Sequence, residues 1–354
     1  MPVSFVAFVA VFSLVVFVHE LGHFLVAKLA GVRVDEFGFG YPPRLLRIAK
    51  WGGTEYTINA IPIGGFVRVA GEQDTSDPGS MAQKSPWVRG AFLLAGPTMN
   101  VVLATLLFGL SFMMGVFVPV KGPGVGVYAV APGSPAAQAG LQTGDTILRV
   151  DGQEVNTVQD LQKAVNARLD REVALTVRRN GQVLSDPIKL TPRSIHPNDE
   201  GPMGIASGDP LDRVTYPIWQ AAWLGLQRAV WTVLSIIGGL VAMVRGRIAP
   251  DLAGPIGIAQ MTAQIAKSGF VQLVEWTAFL SVNLFILNLL PIPALDGGRL
   301  IFVGLEILRG GRRVDPRKEG IVHLVGIVLL LTLFVIVSYF DVIRLVQGAP
   351  LVNP

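Results

Sequence analysis

His19, Glu20 and His23 have the clearest chemical potential in this chain, in the stretch Val18-His19-Glu20-Leu21-Gly22-His23. Four residues apart on a helix, the two imidazoles share one face, as a tetrahedral zinc ion requires. Glu20 lies between them, where its carboxylate can act as general base toward a water on the metal. Zinc suits this work because it lowers the pKa of a bound water to about 7. A catalytic zinc takes three protein ligands, so one more is needed. The chain has no cysteine, which limits that ligand to His, Asp or Glu and excludes disulfides. Residues 3–18 carry no charge, and Phe24-Leu25-Val26-Ala27 is apolar again. The motif therefore sits in a segment able to span a bilayer, where ionisable groups are costly and mark function.

The elements that must position these residues follow from composition. Of 354 residues, 51% are hydrophobic and only 15% charged, against roughly 25% charged in a soluble domain. The chain reads as a polytopic α-helical membrane protein of about four transmembrane helices, with room for a soluble domain. Its partner is the lipid bilayer. The net charge of +4 is modest, and no basic run with interleaved aromatics points to nucleic acid.

Residues 1–30 form the first span and carry the motif. The start Met1-Pro2-Val3-Ser4 has no Lys or Arg, so the segment reads as retained and not as a signal peptide. Residues 31–88 read as a membrane-associated β region. Arg33, Arg44, Arg47, Lys50, Arg68 and Lys84 place it on the cytoplasmic side. Trp51-Gly52-Gly53 there marks a hairpin turn. Ile61–Val69 fits an exposed edge strand able to pair with an extended peptide, or a plain connecting loop. Residues 89–120 are the second span, opening with Gly96-Pro97-Thr98-Met99-Asn100. For Asn100, packing and chemistry fit equally well.

Residues 193–270 combine a polar linker with an apolar stretch, 214–247, that fits either a full span or an interfacial helix. Residues 271–308 are the third span, interrupted at Leu290-Pro291-Ile292-Pro293-Ala294-Leu295-Asp296-Gly297-Gly298. Prolines and glycines there break the helix, and a membrane tolerates such backbone only inside protein or a cavity. Residues 309–320, with Arg309, Arg312, Arg313, Arg317 and Lys318, are a cytoplasmic basic loop. Residues 321–346 are the fourth span. His196 and His323 are weaker candidates for the third ligand than Asp296. Asp296 and His23 both lie near span ends that lead into basic loops, hence at similar depth. If 214–247 crossed fully, Arg309–Lys318 would fall outside, against the positive-inside rule. An interfacial or re-entrant helix is therefore expected there.

Residues 121–192 read as an α+β domain. Val125–Val130 suits a strand, Ser134-Pro135-Ala136-Ala137 a capped helix start, residues 157–168 a second helix, and Asn180-Gly181 a hairpin turn. Gly133-Ser134-Pro135-Ala136-Ala137-Gln138-Ala139-Gly140-Leu141 followed by Gly144-Asp145 resembles the PDZ domain. PDZ domains bind peptide ends by strand addition, which would use Val125-Gly126-Val127. The alternative is a domain that only blocks access.

Taken together, the chain resembles the bacterial site-2 protease family, intramembrane zinc metalloproteases that cut transmembrane helices. The resemblance rests on His19–His23, the PDZ insertion after the second span, and Asn288–Gly298, in the family's order. It implies that His19, His23 and Asp296 bind Zn2+ and that Glu20 activates water. It implies that Asn283 and Asn288 hold the substrate backbone, and that the 33–70 hairpin dips into the membrane and pairs with unwound substrate. Substrates would be transmembrane-helix proteins, such as anti-sigma factors or signal-peptide remnants, pre-trimmed by another protease. The setting would be the bacterial cell membrane, with the PDZ domain extracytoplasmic. The tandem PDZ pair of the family's best-studied gram-negative pattern is replaced here by a single domain. A membrane metal transporter and a non-catalytic PDZ scaffold are the alternatives. The first needs no Glu between the histidines and no PDZ; the second does not need His19, Glu20 and His23 together.

Overall fold

In a computed structural model of the protein, residues 2–71, 79–197, 200–247 and 254–347 are described. Parts of the expected 1–30, 31–88 and 193–270 regions fall outside them. Two units emerge, residues 1–111 with 218–353, and residues 112–217. Among the described residues, five helices are long and apolar enough to cross a membrane, one more than the expected four.

In the first unit, α1 (Pro2–Leu29) carries the histidine motif. It ends at Gly31, φ +65°, where the Val32 N–H donates back to the Ala27 carbonyl, a left-handed glycine stop. β1 (Val34–Trp51) and β2 (Thr54–Val69) then form one long antiparallel hairpin. Ile61–Val69 is not a loop but the returning half of β2, whose register folds it back onto Val34–Tyr41. The hairpin's outer half exposes Leu45, Leu46, Ile48 and Trp51. α2 (Pro86–Met114) follows, with Pro97 inside it.

The second unit contains β3 (Val116–Pro119), β4 (Val125–Val130), α3 (Pro135–Gln138), β5 (Thr146–Val150), β6 (Gln153–Glu154), α4 (Val158–Asn166), β7 (Val173–Arg179), β8 (Gln182–Val183), β9 (Ile188–Leu190), β10 (Ile205–Gly208) and β11 (Leu211–Val214). A seven-stranded sheet runs β10-β4-β5-β7-β8, with β6 on β5 and β9 on β7. Val173, Leu175 and Val177 of β7 alternate into a core with Val125, Val127, Ile147 and Val150, the period of a half-buried strand. Asn180 and Gly181 both take positive φ, the hairpin turn their types favour. Ser134 caps α3, and Thr157 with Asp160 forms a capping box on α4.

Two expectations change here. The soluble unit does not stop at 192, because β10 pairs with β4 and β11 with β3. Four-residue strands beside glycine and proline give too little periodicity to read. β4 is flanked on both sides, by β10 and β5, so Val125-Gly126-Val127 has no free edge for strand addition. β10 is the edge strand next to it. Second, α2 stops at Met114, and the last residues of the expected 89–120 span are strand.

The chain re-enters the first unit through α5 (Ile218–Val244), then α6 (Pro255–Ser268), α7 (Phe270–Leu289), α8 (Asp296–Leu308) and α9 (Pro316–Gln347). The apolar part of the 214–247 stretch is one continuous helix, α5. α5 lies beside α2 and parallel to α7. Gly225 meets the Thr105 carbonyl and Gly109 so closely that a Cβ would clash. Arg228 and Thr232 share a cleft with Gln272–Phe279, and Ile237–Arg245 share one with Phe285–Leu290. Its small residues Ala221, Gly225 and Ala229 are the buried ones, the pattern that lets membrane helices approach.

Candidate metal centre

α1 presents His19 and His23 one turn apart, both buried. Their Nε2 atoms lie 3.1 Å from each other. Asp296 Oδ2 lies 3.2 Å from His19 Nε2 and 3.4 Å from His23 Nε2. Ligands about 2.1 Å from a tetrahedral zinc lie about 3.4 Å apart along the tetrahedron's edges. The three donors thus form one face of such a tetrahedron, and the fit extends to their chemistry, two imidazoles and one carboxylate. They form a metal-capable cluster of His and acidic side chains.

Each donor is aimed by neighbours. His23 Nδ1 is 2.8 Å from the Phe92 carbonyl, so that nitrogen donates and Nε2 is left with its lone pair. Phe92 lies on α2 just before Pro97, which leaves the Leu93 carbonyl without its helical donor. His19 Nδ1 contacts the Asn100 amide at 3.2 Å. Gly96 faces both rings: a Cβ there would lie 2.4 Å from His23 Nε2 and 2.7 Å from His19 Nε2. Gly22 meets the Ala95 carbonyl, where a Cβ would lie 2.3 Å away, so α1 and α2 touch backbone to backbone.

Asp296 opens α8, delivered by the broken stretch 290–295. The loop folds tightly back: Gly297 meets the Leu289 and Leu290 carbonyls, and Gly298 the Ile292 carbonyl, all closer than a Cβ permits. Ala294 takes φ +80°, a strained conformation for a residue with a Cβ. His323 of α9 holds it, Nδ1 accepting from the Ala294 N–H at 2.9 Å. His323 is thus a support of the loop and not a member of the donor cluster. An ion pair between Arg89 and the buried Glu306 ties α2 to α8. His196 lies in the second unit, its Nδ1 at the Pro197 carbonyl.

β2 runs along α1 up to Glu20. Ser13 Oγ donates to the Pro62 carbonyl at 2.8 Å and accepts from the Gly64 N–H at 3.2 Å. Gly65 packs on Phe17, and the Val67 backbone N–H faces the Glu20 carboxylate. Asn283 and Asn288 lie on α7, both half-buried, and the Asn283 amide donates to the Phe279 carbonyl one turn back. Neither is one of the three clustered donors. Sequence reasoning missed Gly96, the Phe92 carbonyl and the role of His323. Only Gly96, a turn before Asn100 and next to a proline, left a trace in the sequence.

The family model of Peptidase family M50 matches residues 7–333. Zinc metalloprotease RasP of Oceanobacillus iheyensis is 32% identical, over 96% of this chain and 99% of that protein. Regulator of sigma-W protease RasP of Bacillus subtilis is 31% identical, over 96% and 98%. Among solved structures, the PDZ domain of an SdrC-like protein from Listeria innocua matches 24% of this chain and 92% of that domain, at 22% identity and a TM-score of 0.21. These relationships favour neither a transporter nor a silent scaffold. With its apolar helices and its triad of donors, the chain belongs to Peptidase family M50, as a multi-pass membrane zinc metalloprotease of the site-2 type.

Proposed function

We propose that His19, His23 and Asp296 hold the zinc, and that Glu20 is the general base for hydrolysis of peptide bonds in transmembrane helices trimmed beforehand by another protease. Zinc bound by these three supplies Lewis acidity and an activated water. Glu20 would take a proton from the attacking water on its carboxylate as the water oxygen bonds to the carbonyl carbon, and would pass it to the amide nitrogen as the C–N bond breaks, a role worth about 10²–10⁴-fold in rate. His23, donating through Nδ1 to Phe92, keeps Nε2 turned inward. A membrane helix hides its peptide bonds in its own hydrogen bonds, so the substrate must unwind before attack. β2, lying along α1 from Ser13 to Glu20, offers backbone partners to the unwound stretch, and the Asn283 and Asn288 amides offer both a donor and an acceptor.

The enzyme sits in the bacterial cell membrane with the PDZ-like unit outside and Arg309–Lys318 inside. α5 and α7 are parallel, so α5 enters from the outer side as α7 does. The chain must return before α7 begins. α6, with 14 residues, is about 21 Å long, too short for a core of about 30 Å. α5 is therefore one arm of a re-entrant excursion, and four helices cross. The Bacillus subtilis relative is named a regulator of sigma-W protease, which fits substrates that control sigma factors, such as anti-sigma factors.

The observation that carries this reading is the triangle of Nε2, Nε2 and Oδ2 atoms with edges of 3.1–3.4 Å. Purified protein, Glu20→Gln and Asp296→Ala test it with zinc analysis and a model transmembrane peptide. Glu20→Gln is expected to keep zinc and lose cleavage; Asp296→Ala is expected to lose both. Full zinc in Asp296→Ala, or wild-type cleavage by Glu20→Gln, would overturn the assignment.

A further inference from the structure

Asn100 is fully buried in α2 and stands where three helices meet. Its side-chain amide is 3.2 Å from His19 Nδ1, and its backbone carbonyl accepts from Ser281 Oγ of α7 at 2.8 Å. The side-chain nitrogen makes the contact to His19, while Oδ1 has no partner. A neutral imidazole carries one proton. If Nε2 gives its lone pair to a metal, that proton is on Nδ1 and needs an acceptor. The amide's two ends are related by a half-turn, and the half-turn places Oδ1 against Nδ1. It gives the buried oxygen its partner.

We propose that Asn100 is the positioning residue of His19: its Oδ1 accepts from His19 Nδ1–H, fixes the tautomer that frees Nε2, and sets the ring's angle toward the metal. The two histidines then have matched supports from one helix, the Phe92 carbonyl for His23 and the Asn100 side chain for His19. α2 thereby orients both rings without offering a ligand of its own. The proposal rests on the reading of His19 as a zinc ligand.

The test is zinc affinity of the purified full-length chain, by competition with a chromophoric chelator. Asn100→Leu removes the acceptor and should weaken zinc about 10- to 100-fold, the usual effect of losing such a partner. Asn100→Asp keeps an acceptor and should stay within a few-fold of the parent. Ser281→Ala breaks only the backbone link and should leave affinity unchanged. His19→Ala is measured beside them. If it keeps parental affinity, the ligand reading fails; if it loses zinc while folded Asn100→Leu does not, the positioning role alone fails. Asn100→Asp as weak as Asn100→Leu would overturn the proposal too. If Asn100→Leu does not fold, ¹⁵N NMR of histidine-labelled, zinc-loaded parent decides. A protonated His19 Nδ1 supports the role, and an unprotonated one refutes it.

Discussion

Replacing Gly96 by alanine adds one methyl group at the point where the two imidazoles converge. The new Cβ would lie 2.4 Å from His23 Nε2 and 2.7 Å from His19 Nε2 and Cε1. Zinc bonded to both nitrogens would lie about 2.0–2.1 Å from each. Methyl and metal therefore compete for nearly the same space. Ordinary carbon contacts need about 3.5 Å, so each ring, or α2 itself, must withdraw by about 1 Å. Withdrawal on that scale takes at least one imidazole out of bonding range. Zinc in peptide sites with four ligands is held by about 10–16 kcal/mol, hence about 2.5–4 kcal/mol per ligand. Gly96→Ala should weaken zinc by at least about 10²-fold. The assay is metal content and chelator competition on purified protein, with circular dichroism to show that the helices persist. A folded Gly96→Ala protein with full zinc at parental affinity would refute the argument, because it would put the metal away from the face of the rings that Gly96 covers.

Three further outcomes are expected. Because the chain lacks cysteine, Gln182→Cys and Arg312→Cys report topology directly. A membrane-impermeant thiol reagent on intact cells should label the first and spare the second, and the reverse pattern would overturn the orientation. Excising Val116–Val214 with a short linker should leave zinc binding intact, since β3 and β11 pair Val116 with Val214 and bring the cut ends together; loss of zinc would show that the inserted unit supports the site. If that unit gates entry, excision should also admit untrimmed substrates; if it grips trimmed ends, it should slow their cleavage. At the α4 cap, hydrogen bonds from Thr157 and from the Asn156 backbone hold the Asp160 carboxyl below the usual carboxylate range. Its contribution is present above the unfolded value of about 4 and disappears as pH falls through the lowered folded value. NMR of the Thr157 and Asp160 amides should show the cap opening only under acid conditions, and opening near neutrality would contradict it.

Much of the site was legible because its chemistry is concentrated in rare residue types. Two histidines and a glutamate in an uncharged span, and one aspartate in a proline-broken span, stand out where charge is costly. The turns of the inserted unit were legible for a local reason: Asn180-Gly181 needs no tertiary context to adopt positive φ. β10 and β11 were not legible, since four residues carry no usable period and their partners lie far back in sequence. The geometry of α5 was also hidden. Gln220, Gln227 and Arg228 suggest a surface helix, while Ala221, Gly225 and Ala229 pack it on α2 and α7.

The supports around the candidate metal donors were the least visible part, because most of them are backbone atoms. Phe92 acts through its carbonyl, Ala294 through its N–H, and Gly96, Gly297 and Gly298 through the side chains they lack. This has a physical cause in the broken third span. Asp296 has to meet two rings on α1 from a helix of its own, and an unbroken helix through 290–296 would keep its carbonyls bonded internally. The prolines end α7, the positive φ at Ala294 turns the chain, and the paired glycines let freed carbonyls close over the first turn of α8. Asp296 therefore stands at the start of a new helix, where its direction is independent of α7. The strained Ala294 persists because α9 grips it twice, through His323 Nδ1 and through Gly326 against the Pro293 carbonyl. The last helix, which contributes no member of the clustered trio, is in this way what keeps Asp296 in place.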